Sequence, residues 1–292
     1  MDRVRVKSPA KLNLTLEITG AEGGYHMLDS VVTTIDLFDI VTVKRRGDGR
    51  VTISMRGLGS ENIPPEKNNA ARAAELFSKK FGTCGADIFI DKNIPLGAGL
   101  GGSSADAAGV LNAMCSLYGV KNAAAEEIAD MVGSDTRFMM RGGWARMRGR
   151  GNIVESFQSA LKLNFFIIAP QSGVSAAECY KLYDELPDGR RANTQRALGA
   201  LASGDYAGLC GSLYNALYAP ARRLNPDAER ALYEAFSFSP DGACMTGSGS
   251  AAFAVFENEQ LCRWAKSRYR GSFYSFCAKT YIPRPLKEQT DG

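Results

Sequence analysis

The sequence predicts a mixed α+β protein of two modest domains, and three observations carry that expectation. Short segments alternate apolar and polar residues with the period of a strand. Between them lie segments with helical spacing and recognisable ends. A chain of 292 residues with 45% hydrophobic content can bury more than one small core. The boundary falls near residue 155, giving domains 1–155 and 156–292.

In chain order, "VRVKSPAKLNLTLEIT" alternates on both sides of a Ser8-Pro9-Ala10 interruption, which predicts a strand on each side. "DIVTVKRRGDGRVTISM" predicts a hairpin turning at Gly47-Asp48-Gly49. "PEKNNAARAAELFSKKFG" predicts a helix with Pro65 at its start and Gly82 at its end. "ADIFIDKNI" alternates again. A glycine-rich loop follows, then a helix from about Ser104 to Leu117 and a shorter one around Ala124 to Met131. "ALKLNFFIIAP" is a buried strand, after which come helices, the small-residue turn in "GACMTGSGSAAFAVF", one more helix and a last strand near "SFCAKTYI".

Composition removes several function classes. No run of about eighteen apolar residues exists to span a bilayer, and "MDRVRVKSPAKLNL" lacks the apolar core of a signal peptide. A cytoplasmic protein is expected. Seven scattered cysteines without a Cys-x-x-Cys pair read as reduced, mostly core thiols, and a single histidine excludes a multi-histidine metal cluster. A net charge of +4 is too slight to demand nucleic acid but suits an anionic metabolite.

The strongest local signal is "IPLGAGLGGSSADAAG", Ile94 to Gly109, with four glycines between positions 97 and 102. Gly97, Gly99 and Gly102 spell G-x-G-x-x-G, but a dinucleotide fold needs a second parallel strand carrying an acid about twenty residues later. Here the following stretch, "KNAAAEEIADMVGSD", is helical. No Lys-Ser or Lys-Thr follows the last glycine, so it is not a Walker loop either. What remains is a loop entering a helix N-terminus, where unpaired N–H groups and a partial positive charge suit a polyphosphate. A plain flexible turn would need only one or two of these glycines.

"PLGAGLGGSSADAA", "SPAKLNL" near the start and "MTGSGSAAF" in the C-terminal half together resemble, in order, the three motifs of the GHMP small-molecule kinases. "GGYHMLDSVVTTIDLFD", "GSDTRF" at Gly133 and "SGVSAAECY" at Ser172 are similar to the 4-diphosphocytidyl-2-C-methyl-D-erythritol kinase family within that superfamily. The resemblance spans nearly the whole chain. It implies the GHMP kinase fold, with an N-terminal α/β domain like that of ribosomal protein S5 and a ferredoxin-like C-terminal domain. It also implies ATP, with Mg²⁺, as phosphoryl donor to a cytidine-diphosphate-linked sugar alcohol of the non-mevalonate isoprenoid pathway.

The first motif supplies Lys11 and Asn13, which share one face of an extended segment. By resemblance Asp135 is the general base, assisted by Lys11. Pro95, Gly97, Ala98, Gly99, Leu100, Gly101, Gly102, Ser103 and Ser104 hold the ATP phosphates. Asn13, Tyr25, His26, Tyr180, Thr246, Gly247 and Ser248 face the substrate, with Tyr183 a second candidate for the base-stacking ring. A pyrimidine wants an aromatic face and polar atoms along its edge, and Gly24-Tyr25-His26 offers both. Asp106, Ser103 and Ser104 are not distinguished as metal ligands, and the chain is expected to be a monomer or homodimer without membrane partners.

The chain departs from the family at three places. Thr136-Arg137 stands where Val-Pro is usual, Ala216-Leu217-Tyr218 follows Asn215 in place of Asp-Leu/Phe-Glu, and the glycine run is shorter by one. Arginines at 137, 141, 146, 148 and 150 form a basic stretch. Arg137 can either pair with Asp135 and weaken it as a base, or reach a phosphate as a bidentate donor; the second is the expectation. Two other functions stay open on these grounds: a related GHMP kinase for another alcohol or sugar, and a non-catalytic nucleotide- or nucleic-acid-binding relative.

Overall fold

The computed structural model describes residues 2–60, 68–186 and 193–283. Its first sheet is organised by one long strand. β1 (Arg3–Asn13), β2 (Thr15–Glu22) and the 21-residue β3 (Tyr25–Arg45) pair in antiparallel fashion on β3. Ser8-Pro9-Ala10 does not divide β1. Proline removes one ladder donor, and the strand absorbs this as a register shift between Pro9 and Ala10. The break falls instead at Leu14, between β1 and β2.

The expected hairpin is also corrected. The chain turns near Gly47-Asp48-Gly49 into β4 (Val51–Gly57), but β4 does not pair with β3. It pairs in parallel with β5 (Ala86–Lys92), which lies between them. The intervening helix α1 (Asn69–Phe81) makes this a crossover unit and buries Ala70, Ala73, Ala74 and Phe77. Turn residues dictate the reversal; the alternately buried β5 takes the central place, leaving half-exposed β4 at the edge. Asn68 caps α1 by accepting from Ala70 N at 2.9 Å, and Gly82 ends it with φ 63°. The proline expected at its start lies outside the described residues.

After the glycine loop come α2 (Gly102–Tyr118), α3 (Asn122–Val132) and the short α4 (Thr136–Arg141), then the antiparallel pair β6 (Trp144–Gly149) and β7 (Ile153–Phe157), with β6 on β3. Small residues let α2 bury almost its whole circumference against β1, β3 and α1.

The second sheet begins with β8 (Asn164–Ala169). Helices α5 (Ala176–Tyr183), α6 (Asn193–Ser203) and α7 (Tyr206–Cys210) lead to β9 (Tyr214–Asn215), which returns to pair in parallel with β2. Then come α8 (Tyr218–Leu224), α9 (Pro226–Phe236), the hairpin of β10 (Gly242–Met245) and β11 (Ala252–Phe256), α10 (Glu259–Arg268) and β12 (Tyr274–Lys279). Sheet order is β10-β11-β8-β12. β8 reads as an unbroken apolar run because both faces are covered. Phe166 and Ile168 pack under α9 and α10, while Phe165 and Ile167 join the large core shared with the first sheet. Among the described residues no helix is long and apolar enough to cross a membrane.

Candidate active site

A cavity of about 1010 Å³ opens between the glycine loop, the start of β3, α5 and the β6–β7 turn. At its foot, alternation along β1 puts Lys11 and Asn13 on the same side, and the Lys11 ammonium donates to Asn13 Oδ1. Lys11 Nζ stands 3.6 Å from Asp135 Oδ2. Asp135 reaches this point from the first residue before α4, where its side chain makes no cap bond. Its carboxylate is therefore available to the cavity.

Asn13 is the hub beneath the pair. Its Nδ2 donates to Ser30 Oγ at 2.9 Å, its Oδ1 accepts from Gly247 N at 3.1 Å, and its own N–H donates to Thr246 Oγ1 at 3.0 Å. Thr246 is wholly buried and does not line the cavity. Its expected substrate contact is replaced by this bracing bond. Asn215 completes the frame, donating to Met245 O at 2.8 Å and Gly247 O at 2.9 Å.

The glycine loop is clamped from two sides: Lys11 N donates to Leu100 O at 3.0 Å and Ala251 N to Ala98 O at 3.1 Å. Gly99, at φ +79°, approaches the second turn so closely that a Cβ would stand 2.1 Å from Thr246 O. At Gly101 (φ +75°) the chain enters α2 with no side chain capping the helix, so the first-turn N–H groups are left for a ligand. Ser103, whose Oγ accepts from Asn69 Nδ2 at 2.8 Å, and Ser104 flank that end. Asp106 is turned away. It is buried against Lys92 Nζ at 2.5 Å, which also binds Asp39, and it does not line the cavity.

At the other end, His26 stacks on Tyr180 with ring centroids 4.9 Å apart, and its Nε2 lies 2.7 Å from Asp184 Oδ1. Burial and the Asp135 charge push the Tyr180 phenol upward, so it stays a neutral donor. Tyr25 is 57% exposed, with the Arg150 guanidinium 4.6 Å above its ring. Tyr183 meets the edge of His26 and lies outside the lining. Of the residues expected from the sequence, all but Thr246, the second stacking candidate Tyr183 and Asp106 line this one cavity. Asp130, Ser134, Arg150, Asn152, Lys181 and Asp184 also line it and were not expected there. Two of them carried a signal: Arg150 belongs to the basic stretch, and Asp184 stands four residues after Tyr180 and so on the same helical face.

Neither expectation for Arg137 holds. Its Nε donates to Asp130 Oδ1 at 2.7 Å and its Nη1 to Glu126 Oε2 at 3.1 Å, both acids of α3. Proximity in sequence to Asp135 is overridden by α3, which presents two carboxylates on the near side of α4.

The family model of the GHMP kinases N terminal domain matches residues 68–144, and that of the GHMP kinases C terminal domain matches 197–263. The chain is 33% identical over 289 residues to a 4-diphosphocytidyl-2-C-methyl-D-erythritol kinase of Shouchella clausii, covering 97% of this chain and 94% of that one. It is 34% identical over 281 residues to the namesake of Pelotomaculum thermopropionicum, covering 94% and 97%. A solved structure of 4-(cytidine 5'-diphospho)-2C-methyl-D-erythritol kinase superposes with a TM-score of 0.79 at 29% identity over 94% of this chain and 98% of that one. L. major mevalonate kinase, 16% identical with a TM-score of 0.73 over 96% of both chains, shares the fold. By sequence along nearly its full length and by architecture, the chain belongs to the 4-diphosphocytidyl-2-C-methyl-D-erythritol kinase family of the GHMP kinases.

Proposed function

We propose that the protein transfers the γ-phosphoryl group of ATP to the free alcohol of 4-diphosphocytidyl-2-C-methyl-D-erythritol. The observation that carries this reading is the Lys11–Asp135 pair at 3.6 Å in a cavity bounded by a phosphate-type loop on one side and an aromatic, polar-edged end on the other. The substrate oxygen attacks phosphorus, the bond from phosphorus to the ADP oxygen breaks, and the hydroxyl proton passes to Asp135. Lys11 steadies the negative charge that gathers there. The triphosphate lies along Gly97–Ser104 and the N-terminus of α2. Mg²⁺, bound to the triphosphate beside Ser103 and Ser104, would neutralise part of its charge; among the described residues no three His, Cys, Asp or Glu side chains cluster to hold an ion on their own. Tyr25, His26 and Tyr180 receive the cytosine. All seven cysteines are free thiols, and with ATP as donor the reading includes a cytoplasmic location.

The departures from the family do not favour another alcohol. Arg137 is engaged by α3 and Ala216 packs with Leu16 and Cys179, while Leu217 belongs to the same packed cluster and adds only an apolar edge to the cavity wall. The arginine stretch is not a nucleic-acid face either, since Arg141 pairs with Glu126, Arg146 with Asp29 and Arg148 with Glu155. The test is an ATP-dependent phosphorylation assay with the cytidyl methylerythritol, mevalonate and homoserine in parallel. Turnover of the first alone is expected; turnover of another in preference to it would overturn the reading.

A further inference from the structure

Of the five arginines between 137 and 150, four are held by carboxylates of α3, β3 or β7. Arg150 is the exception. Among the described residues it has no acidic partner, and it lines the cavity, where its guanidinium carbon stands over the Tyr25 ring, 4.6 Å from the centroid. A ring beneath a guanidinium uses its face and leaves the five N–H donors on its edges free. The three carboxylates in the cavity wall are already matched: Asp130 to Arg137, Asp135 to Lys11 and Asp184 to His26.

The turn that carries Arg150 is fixed by its own bonds, with Arg150 N donating to Asn152 Oδ1 at 3.1 Å and Gly151 N to Arg148 O at 3.2 Å. It rests against the segment that presents Asp135, so that a Cβ on Gly151 would lie 3.5 Å from Ser134. Arg150 thus lies on Tyr25 in the cavity wall, and its turn packs against the segment that presents Asp135. A molecule with its base among the aromatic residues and its reacting alcohol at Asp135 carries whatever links them along the same cavity that Arg150 lines.

We propose that Arg150 binds the diphosphate of the cytidyl substrate, with Tyr25 serving as the plate that orients its guanidinium. This rests on the substrate reading given above. Planar, bidentate donation to phosphate oxygens is the geometry for which an arginine fork is suited. The same contact would favour a nucleotide-linked alcohol over an alcohol that carries no diphosphate.

Calorimetric titration of cytidine and of CDP, with an unreactive ATP analogue saturating the glycine loop, tests this on wild type, Arg150→Ala and Arg150→Lys. Wild type binds CDP more tightly than cytidine. In Arg150→Ala the affinity for CDP falls about tenfold or more, as for loss of charged hydrogen bonds, while affinity for cytidine and the KM for ATP stay unchanged. Arg150→Lys recovers part of the loss. Equal weakening of cytidine and CDP would overturn the proposal by showing that Arg150 only supports Tyr25, and an unchanged CDP affinity would overturn it outright. A wild type that does not prefer CDP to cytidine would overturn the substrate reading itself, and the role of Arg150 with it.

Discussion

Asp135 and Arg137 sit two residues apart and have unlike consequences. Asp135 is 28% exposed to the cavity, paired with Lys11 and free of any capping bond to α4. Asp135→Asn therefore leaves the helix start intact and removes only the proton acceptor. A fall in kcat of about 10²–10⁴-fold is expected, with the melting temperature and the KM for ATP unchanged; retention of more than about a tenth of wild-type kcat would exclude general-base work by this group. Arg137→Pro restores the residue usual in the family. Position 137 is the second of α4, whose N–H has no partner within the helix, so the ring is accommodated. The change releases partly exposed ion pairs with Asp130 and Glu126, which contribute about 1 kcal/mol. Steady-state kinetics should therefore show kcat/KM within about twofold of wild type, since a twofold change is below 1 kcal/mol, and a larger change in either direction would tie Arg137 to the chemistry. The sequence exposed both residues as unusual but not where their side chains go. Asp135 was legible because a motif fixes it. Arg137 was not, because its partners lie on a different helix and carboxylates on α3 look from the sequence like any solvated face.

The two glycine turns act as one element, and that was only half visible. Sequence spacing suggests a backbone that lets phosphate approach at Gly99, whereas the nearest obstacle to a side chain there is protein. A Cβ would meet Thr246 O at 2.1 Å and Gly249 N at 3.2 Å. At Gly97 a Cβ meets only Gly173 Cα, at 3.5 Å. Gly99→Val should therefore lower stability by about 3 kcal/mol or more, from the positive φ together with overpacking, and weaken ATP binding because the loop is pushed off its seat. Gly97→Ala should lose only about 1–2 kcal/mol from its φ. Thermal melts and ATP titration of both variants decide the matter: a Gly99→Val protein with wild-type stability but no ATP binding would put phosphate, not the Thr246 turn, against that glycine. Strand pairing was similarly hidden. Alternation announced β5 and the turn residues announced a reversal before β4, yet which strands become neighbours depended on where α1 could bury its stripe. Nothing in "HMLDSVVTTIDL" alternates clearly either, because the middle of β3 is covered on both faces.

At the scale of the molecule, the active cavity depends on a charged cluster that never meets it. Asp39 on β3 accepts from Asn93 N at 2.5 Å and Ile94 N at 2.9 Å, fixing the chain as it leaves β5 for the glycine loop. Lys92 joins Asp39 to Asp106 on α2, fixing the chain where the loop ends. Two carboxylates thus share one ammonium in a place closed to water, and Asp106 Oδ1 meets no donor among the described residues. Burial holds the Asp106 proton far above the usual carboxylate range, to about 8; Lys92 opposes this and the Asp39 charge adds to it. In the unfolded chain the same carboxyl ionises near the ordinary value. Between that value and about 8 the folded protein keeps a proton that the unfolded chain has released. Stability from this group is therefore complete at acid pH and declines as pH rises through the window, by at most about 1.4 kcal/mol per unit. Asp106→Asn keeps the shape of the side chain and an oxygen for Lys92, and it leaves the cluster with one acid for one base at every pH. Urea unfolding at pH 5, 6, 7 and 8 should show a declining stability in wild type and a shallower slope in the variant, with the two curves diverging most at pH 8. Parallel slopes would mean that Asp106 is ionised throughout and that Lys92 alone balances both carboxylates.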